Sequence, residues 1–358
     1  MDLDLKDFDQ KTSLKSQRAL FKECFPETIG TPLVDKKHYF WKFHSFPSII
    51  NSYEFGAFDN NDLIGYYAAI PYKYLIKNKE VSVGMVCDVM TGVKARGKGV
   101  FTKMGAYSTN SLQEKKISFT TGYPIRKEVI PGHLKVGWEI MQTLPLFVKF
   151  ISFKSLFKSK NIGFLYFLAD HLMMFYNFLV SFFNNKTKYD FKTYSNSEIQ
   201  GINNLDTFFE EWNFQQEISL KKSKEFLKWR LGAPEKEYSI SVFSEKNKII
   251  GYTVFCNTVK EKIPSIAILD VSILNGYSGI SNFIFKHIET IAKRRKKESI
   301  IIMCSTYFFK IHKMKKSGFI KTPFKFFLII KNLSSEFNNE YLKNEENWHL
   351  SWIDSDNL

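Results

Sequence analysis

The stretch from Val86 to Lys116, VCDVMTGVKARGKGVFTKMGAYSTNSLQEKK, constrains this chain more than any other. An apolar, β-branched run through Val81, Val83, Val86 and Val89 leads into it and reads as a strand. A basic turn follows, Arg96-Gly97-Lys98-Gly99. Apolar residues at Val100, Phe101, Met104, Tyr107 and Leu112 then keep close to a helical period. Strand, glycine-bearing turn and helix N-terminus together make an anion site. The glycines let the backbone approach, successive N–H groups point at the ligand, and the helix dipole favours negative charge. Phosphate is the expected guest. Gly92 to Lys98 matches a nucleotide P-loop up to its last position, where Gly99 replaces the Ser or Thr that would hold Mg²⁺. The dinucleotide fingerprint G-x-G-x-x-G fails as well, since Thr102 stands in place of its third glycine.

What does fit is R-x-x-G-x, running Arg96, Gly97, Lys98, Gly99, Val100 into a helix. This resembles the pyrophosphate loop of the GNAT superfamily of acyl-CoA-dependent N-acyltransferases, written [QR]-x-x-G-x-[GA]. Phe101 departs from it at the last position. The flanks are similar too. Ile117 to Tyr123 reads as another strand, and the segment after Pro124 ends His133-Leu134-Lys135-Val136-Gly137-Trp138, like the Y-x-x-x-G-[FW] close of such a domain. The resemblance covers Ser52 to about Leu144.

Ahead of it, Thr12–Cys24 and Lys36–Phe43 read as helices, and Ser52–Phe58, Leu63–Ile70 and Ile76–Met90 as strands. The same order of landmarks recurs downstream. Trp41 and Trp229, Gly65 and Gly251, Asp88 and Asp270, and Gly137 and Gly318 stand 188, 186, 182 and 181 residues apart. Such regular spacing predicts a duplicated domain. The second copy has Asn275-Gly276-Tyr277-Ser278-Gly279 where the first has its basic loop, and Met314 at the position of His133. One active centre is expected, in the N-terminal half.

The fold class is therefore read as α/β, with two tandem GNAT-like domains, each a mixed, mostly antiparallel sheet flanked by helices. Residues 1–145 are expected to be the domain with the acyl-CoA loop, 146–195 an apolar helical linker, and 196–358 the degenerate copy. Within the linker, 161–185 is nearly long enough to span a bilayer. Asp170 and His171 near its centre favour instead a helix packed between domains or lying on the inner membrane face. Met1 to Lys11 has neither the basic nor the apolar region of a secretory signal.

Four scattered cysteines and seven histidines show no metal-ligand spacing and suit buried thiols in the cytoplasm, so no metal is expected. A formal charge of +15 admits nucleic acid, anionic membrane or a polyanionic substrate as partner. No nucleic-acid motif accompanies the lysine clusters, which read as solvated helix ends.

Acyl transfer from a thioester to an amine needs a neutral amine, donors for the oxyanion and a proton for the departing thiolate. The resemblance implies acetyl-CoA as co-substrate, its thioester along Val89-Met90-Thr91 and its pyrophosphate on Arg96, Gly97, Lys98, Gly99, Val100 and Phe101. Asp88 is the candidate base, or a solvent-facing strand residue. His133 stands where many members carry the tyrosine that protonates the thiolate, and Tyr123 is a second candidate donor. The C-terminal segment, with Leu350 and Trp352 read as a strand before Asp354 and Asp356, resembles tails of tandem GNAT-like proteins from bacterial surface-polysaccharide loci. There an acid pair would meet the acceptor. The implied activity is N-acetyl transfer to a primary amine, an amino sugar of a surface-glycan precursor being the favoured acceptor. A Fem-type aminoacyl-tRNA-dependent transferase and a non-catalytic CoA- or membrane-binding protein are the competing readings.

Overall fold

The computed structural model describes residues 2–159, 167–172 and 189–356. The chain forms two compact units. Unit 1 takes its described residues from Met1–Gln142, Glu217–Lys236 and Phe327–Asn347, and unit 2 from Thr143–Gln216, Glu237–Phe326 and Trp348–Leu358.

In unit 1, strands β1 (Leu3–Asp7), β2 (Tyr53–Asp59), β3 (Asp62–Ile76) and β4 (Lys79–Thr91) form an antiparallel meander. Strand β5 (Phe119–Gly122) then pairs parallel to β4, and Ile329–Asn332 pair antiparallel to β5. The hairpin between β3 and β4 turns at Lys77 and Asn78, both with positive φ. The sequence places a break after Ile70, yet β3 continues through Pro71 to Ile76. The β2 ladder ends at Tyr53–Ala69 and the next partner on that side starts at Tyr74, so the proline falls where no donor is needed.

Period-two alternation along β3 sorts its two faces. Tyr67 and Ala69 join a core with Val100, Met104 and Leu112 of helix α3 (Val100–Glu114). Tyr66 turns the other way, against Phe43 of helix α2 (Lys36–His44). Helix α1 (Gln10–Cys24) is capped by Asp9, whose Oδ1 accepts the Lys11 amide at 2.9 Å. The two landmark tryptophans meet: Trp41 Nε1 donates to the Trp229 carbonyl at 2.7 Å, Trp229 Nε1 to that of Trp41 at 2.9 Å, and the rings stack.

In unit 2 the strand succession is the same. Leu146–Phe150 of β6 (Glu139–Phe150) pair antiparallel to Ser299–Met303, which run parallel to Ile263–Ile273. The meander Lys248–Lys260, Tyr238–Glu245 and Asp190–Ser195 follows, antiparallel throughout. Each unit thus completes its sheet with a strand from the other half of the sequence. The boundary expected at 145 lies inside β6.

Most of the segment 161–185 lies outside the described residues. Residues 167–172 are helical, and Asp170 accepts Ser152 Oγ at 2.8 Å and the Phe153 amide at 2.6 Å. Among the described residues no helix is long and apolar enough to cross a membrane.

Candidate active site

The β4–β5 ladder ends at Val86–Gly122, while β4 runs on to Thr91. Over that extension the register with β3 shifts between Tyr66–Met90 and Ala68–Cys87, so Asp88 and Val89 together oppose Tyr67. Asp88 takes φ +49°, a left-handed conformation that aspartate tolerates. The resulting bulge bends the strand and leaves the Val89–Thr91 edge beside the point where β5 stops. An extended ligand can add to that edge.

Beyond β4, the Gly92 amide donates to the Ile64 carbonyl at 2.9 Å and Glu23 Oε1 accepts the Val93 amide at 2.6 Å. These contacts pin the entry of the basic turn. Arg96 Nε donates to the Thr91 carbonyl at 3.3 Å, tying the turn back to the strand. Gly97 and Gly99 have φ of +75° and +77°, and an added Cβ would meet nothing within 3.5 Å at either. Conformation, not space, selects glycine there. Helix α3 has no side-chain cap and no acid in its first turn, and its first internal amide bond is Lys103 to the Gly99 carbonyl. The amides of Val100, Phe101 and Thr102 precede that bond, and Arg96 and Lys98 just before them in the chain are exposed. The site fits a diphosphate.

Phe101 departs from the expected motif for a visible reason. A Cβ on Gly132 would lie 2.6 Å from its ring, and the ring meets His133 edge-on at 5.0 Å. The side chain therefore packs on helix α4 (Ile130–Lys135) and leaves the loop backbone open. His133 is buried between Phe101 and Trp138, whose ring lies 4.9 Å away. Burial lowers its pKa to about 4. At neutral pH the ring is neutral and no imidazolium stands ready for a thiolate. Tyr123, one residue beyond the last β4–β5 pair, is buried and carries a phenolic hydroxyl.

The depressed His133 pKa carries a sign. Because the unfolded chain binds the proton more readily, stability is fully present above pH 6.5 and is lost as pH falls towards 4. The expected loss from this residue is about 3 kcal/mol. His287 and His312, lowered by burial to about 4 and about 3, act in the same direction. Urea unfolding of His133→Phe at pH 7 and pH 4 should show a correspondingly smaller acid loss. An unchanged loss would mean the imidazole is not desolvated.

The opposite face of β4 holds a polar cluster that sequence reasoning missed. Lys42 Nζ lies 2.8 Å from Asp88 Oδ1, both side chains largely buried. Glu54 Oε2 accepts Tyr39 and Tyr66 hydroxyls at 2.6 and 2.5 Å; Oε1 accepts Ser52 Oγ at 2.8 Å and faces His44 at 3.3 Å. A cavity of about 350 Å³ opens beside Glu54 and His44, with Asp7, Asp9, Lys11 and Lys115 on its wall. Tyr39 and Lys42 share a helix face at i, i+3, the one local signal that could have suggested the cluster.

Unit 2 treats the matching places differently. The Leu274 amide donates to the Ile250 carbonyl at 3.0 Å, as Gly92 does to Ile64, but no basic loop follows. Asp270 is fully buried, accepts Ser351 Oγ at 2.8 Å and the Tyr252 hydroxyl, and faces His349 Nε2 at 3.3 Å. The parallel ladder ends at Ile268–Ile302, and just beyond it Cys304 forms a bridge with Ser351. The chain's own C-terminal segment thus occupies the gap between the diverging strands. The expected strand there is only Trp348–His349, followed by a turn at Trp352–Asp354. Asp354 is fully buried and accepts the Ser351 amide at 2.8 Å and its hydroxyl at 3.2 Å; Asp356 is half-buried. All four cysteines are buried free thiols.

Residues 10–141 match the family model described as acetyltransferase (GNAT) domain. No curated protein matches the chain. Among solved structures, a GCN5-related N-acetyltransferase from Anabaena variabilis aligns over 93% of this chain and 73% of its own, at 12% identity and TM-score 0.63. One from Kribbella flavida covers 92% and 70% at 10% identity and TM-score 0.61. The Saccharomyces cerevisiae N-myristoyltransferase with bound myristoyl-CoA covers 93% and 79% at 11% identity and TM-score 0.58. At these identities the likeness is one of fold.

Proposed function

We propose that this chain, whose residues 10–141 match the model of a GNAT acetyltransferase domain, moves an acetyl group from acetyl-CoA to a primary amine, and that the acceptor is an amino sugar of a surface-glycan precursor. The observation that carries the reading is the uncapped start of α3 behind Gly97 and Gly99, beside the open edge of β4. The pyrophosphate would rest on the Val100–Thr102 amides with Arg96 and Lys98. The thioester supplies an activated acyl carbon. The Val89–Thr91 edge would hold its carbonyl oxygen on backbone N–H groups. Asp88 Oδ2, the oxygen not engaged by Lys42, takes the amine's proton as the N–C bond forms. The Tyr123 hydroxyl donates its proton to the sulfur as the C–S bond breaks.

Tandem duplication is part of this proposal. It is supported by the shared strand succession of the two units and by bulges at both Asp88 and Leu269, just before Asp270. In this reading unit 1 is the catalytic copy. The buried thiols support the cytoplasm as location, and contact of 161–185 with the inner membrane face belongs to the same proposal.

Calorimetry with acetyl-CoA tests the assignment. Arg96→Glu should weaken binding at least about thirtyfold, since a charge-assisted contact to phosphate is replaced by repulsion. Equal affinity in both proteins would remove the pyrophosphate from this loop.

A further inference from the structure

Three separate stretches of unit 2 meet at Glu298. Its amide donates to the Pro264 carbonyl at 2.8 Å, just past the hairpin turn at Glu261 and Lys262. Its carbonyl accepts the Ile151 and Ser152 amides at 2.8 and 3.1 Å. Its carboxylate accepts the Ser155 amide and hydroxyl at 2.7 and 2.8 Å, in the short helix Lys154–Ser159. Glu298 itself follows the helix Ser281–Arg294. One residue thus gathers a hairpin tip and two helix ends where the ladders of Ser299 with Ser265 and Phe150 stop.

Cations crowd that end. Lys154, Lys158, Lys262, Arg294 and Lys296 are all exposed. Most acids nearby are committed: Glu298 to Ser155, Glu289 to Lys149 and Lys293, and the charge of Glu237 acts on Arg295. Glu261 stands exposed in the hairpin. The dipole of the helix Ser281–Arg294 accounts for Arg294 and Lys296 at its C-terminus. It does not account for Lys262. Nor does a dipole account for Lys154, at the first position of its helix, the end where a cation is disfavoured.

Beside this end lies a helical turn with its polar side inward. In 167–172, Asp170 accepts Ser152 Oγ at 2.8 Å and the Phe153 amide at 2.6 Å, two residues from the stretch that Glu298 holds. Leu168 and Leu172, four residues apart, share the face opposite Asp170 and are 61% and 64% exposed, with Phe167 beside them at 64%. A helix on a water-facing surface carries the reverse arrangement. An exposed apolar face with a basic rim matches a bilayer interface, where acyl chains meet anionic headgroups.

We propose that this end of unit 2 docks on the anionic headgroups of a lipid bilayer, with Leu168 and Leu172 entering the acyl boundary. The proposal rests on the membrane contact of 161–185 in the function proposed above and joins to it a basic surface from elsewhere in unit 2. A nucleic acid would use the cations and leave the leucines idle. A second copy of this end would meet like charge.

Vesicle flotation of the full chain tests this. Binding to phosphatidylcholine vesicles containing phosphatidylglycerol should be at least about tenfold stronger than to phosphatidylcholine alone, and the difference should close at about 0.5 M salt. Lys262→Gln combined with Arg294→Gln and Lys296→Gln should weaken binding to the anionic vesicles about thirtyfold or more. Leu168→Ser combined with Leu172→Ser should weaken it at least about tenfold. All five side chains are exposed, and an unchanged thermal melt separates lost binding from lost folding. Anionic-vesicle binding that the basic variant retains overturns the docking surface and leaves 161–185 as the sole contact. A wild type that floats with neither vesicle overturns both. Loss in the basic variant alone, with duplex DNA bound in place of vesicles, hands the surface to nucleic acid and overturns the proposal as well. Acetyl transfer in vesicle-free solution should be the same in wild type and both variants, so failure of the docking surface and failure of the catalytic reading are seen in different assays.

Discussion

An Asp88→Asn protein is expected to unfold with about 3–5 kcal/mol less free energy than the wild type, a large part of a normal domain's stability. Asparagine keeps the size of the side chain and tolerates φ +49°, so the change isolates the charge. What remains is the Lys42 ammonium, buried with its counter-ion removed. Adding Lys42→Met removes that charge as well and should recover more than half of the loss, because a matched pair contributes little net stability once its desolvation is counted. A single-variant cost below about 1 kcal/mol would mean the pair is screened like a surface one. Turnover separates the second role of Asp88. Stability returns in the double variant, but the proton acceptor does not, so the rate should stay down by about 10²-fold or more in both. Full turnover in the double variant would assign Asp88 to holding the bulge only. Acetyl-CoA affinity should be kept throughout, since the loop and the α3 amides are untouched.

The basic loop is legible in the sequence because its determinants are local: two glycines at positive φ, a leading strand and a helix without an acid in its first turn. The spacing of Trp41 and Trp229 is legible for the same reason, and in the structure those two rings stack. The strand that completes each sheet is not. Nothing local in the sequence says that Ile329–Asn332 pair with Phe119–Gly122. Gln17-Arg18 reads as the polar side of an amphipathic helix. It is buried because the bulge turns Asp88 towards α2, and helices α1 and α2 close over the charges. The spacing of His133 before Gly137 suggests a proton donor, and what removes the proton is its burial against Phe101 and Trp138. Spacing carries no information about that. Asp354 and Asp356 read in the sequence as an acid pair for the acceptor, and here Asp354 caps a buried turn.

That turn sets the last expectation. Removing residues 348–358 should unfold unit 2, or leave it a partly ordered state, at temperatures where the full chain is native. Trp348, Leu350, Trp352 and Ile353 are all buried, and each is worth about 1.5–3 kcal/mol of apolar burial. Asp270 would also lose Ser351 and His349, leaving a fully buried carboxylate with the Tyr252 hydroxyl among its remaining partners. Ile353→Ala is the milder form, expected to cost about 2–5 kcal/mol by opening a cavity. Ser351→Ala should cost about 1–3 kcal/mol by leaving Asp270 one donor short. Both are read from denaturant melts, with acetyl-CoA affinity measured alongside. If the segment were a frayed tail, none of the three changes would move the midpoint. The physical point is that diverging parallel strands leave an edge that something must fill. In unit 2 the polypeptide fills it with Ser351, and the loop there, Asn275–Gly279, has no cation to receive a phosphate. In unit 1 the edge is left open and the loop is intact, so deleting the tail should not create a second acetyl-CoA site. Two bound equivalents in the truncated protein would contradict that division.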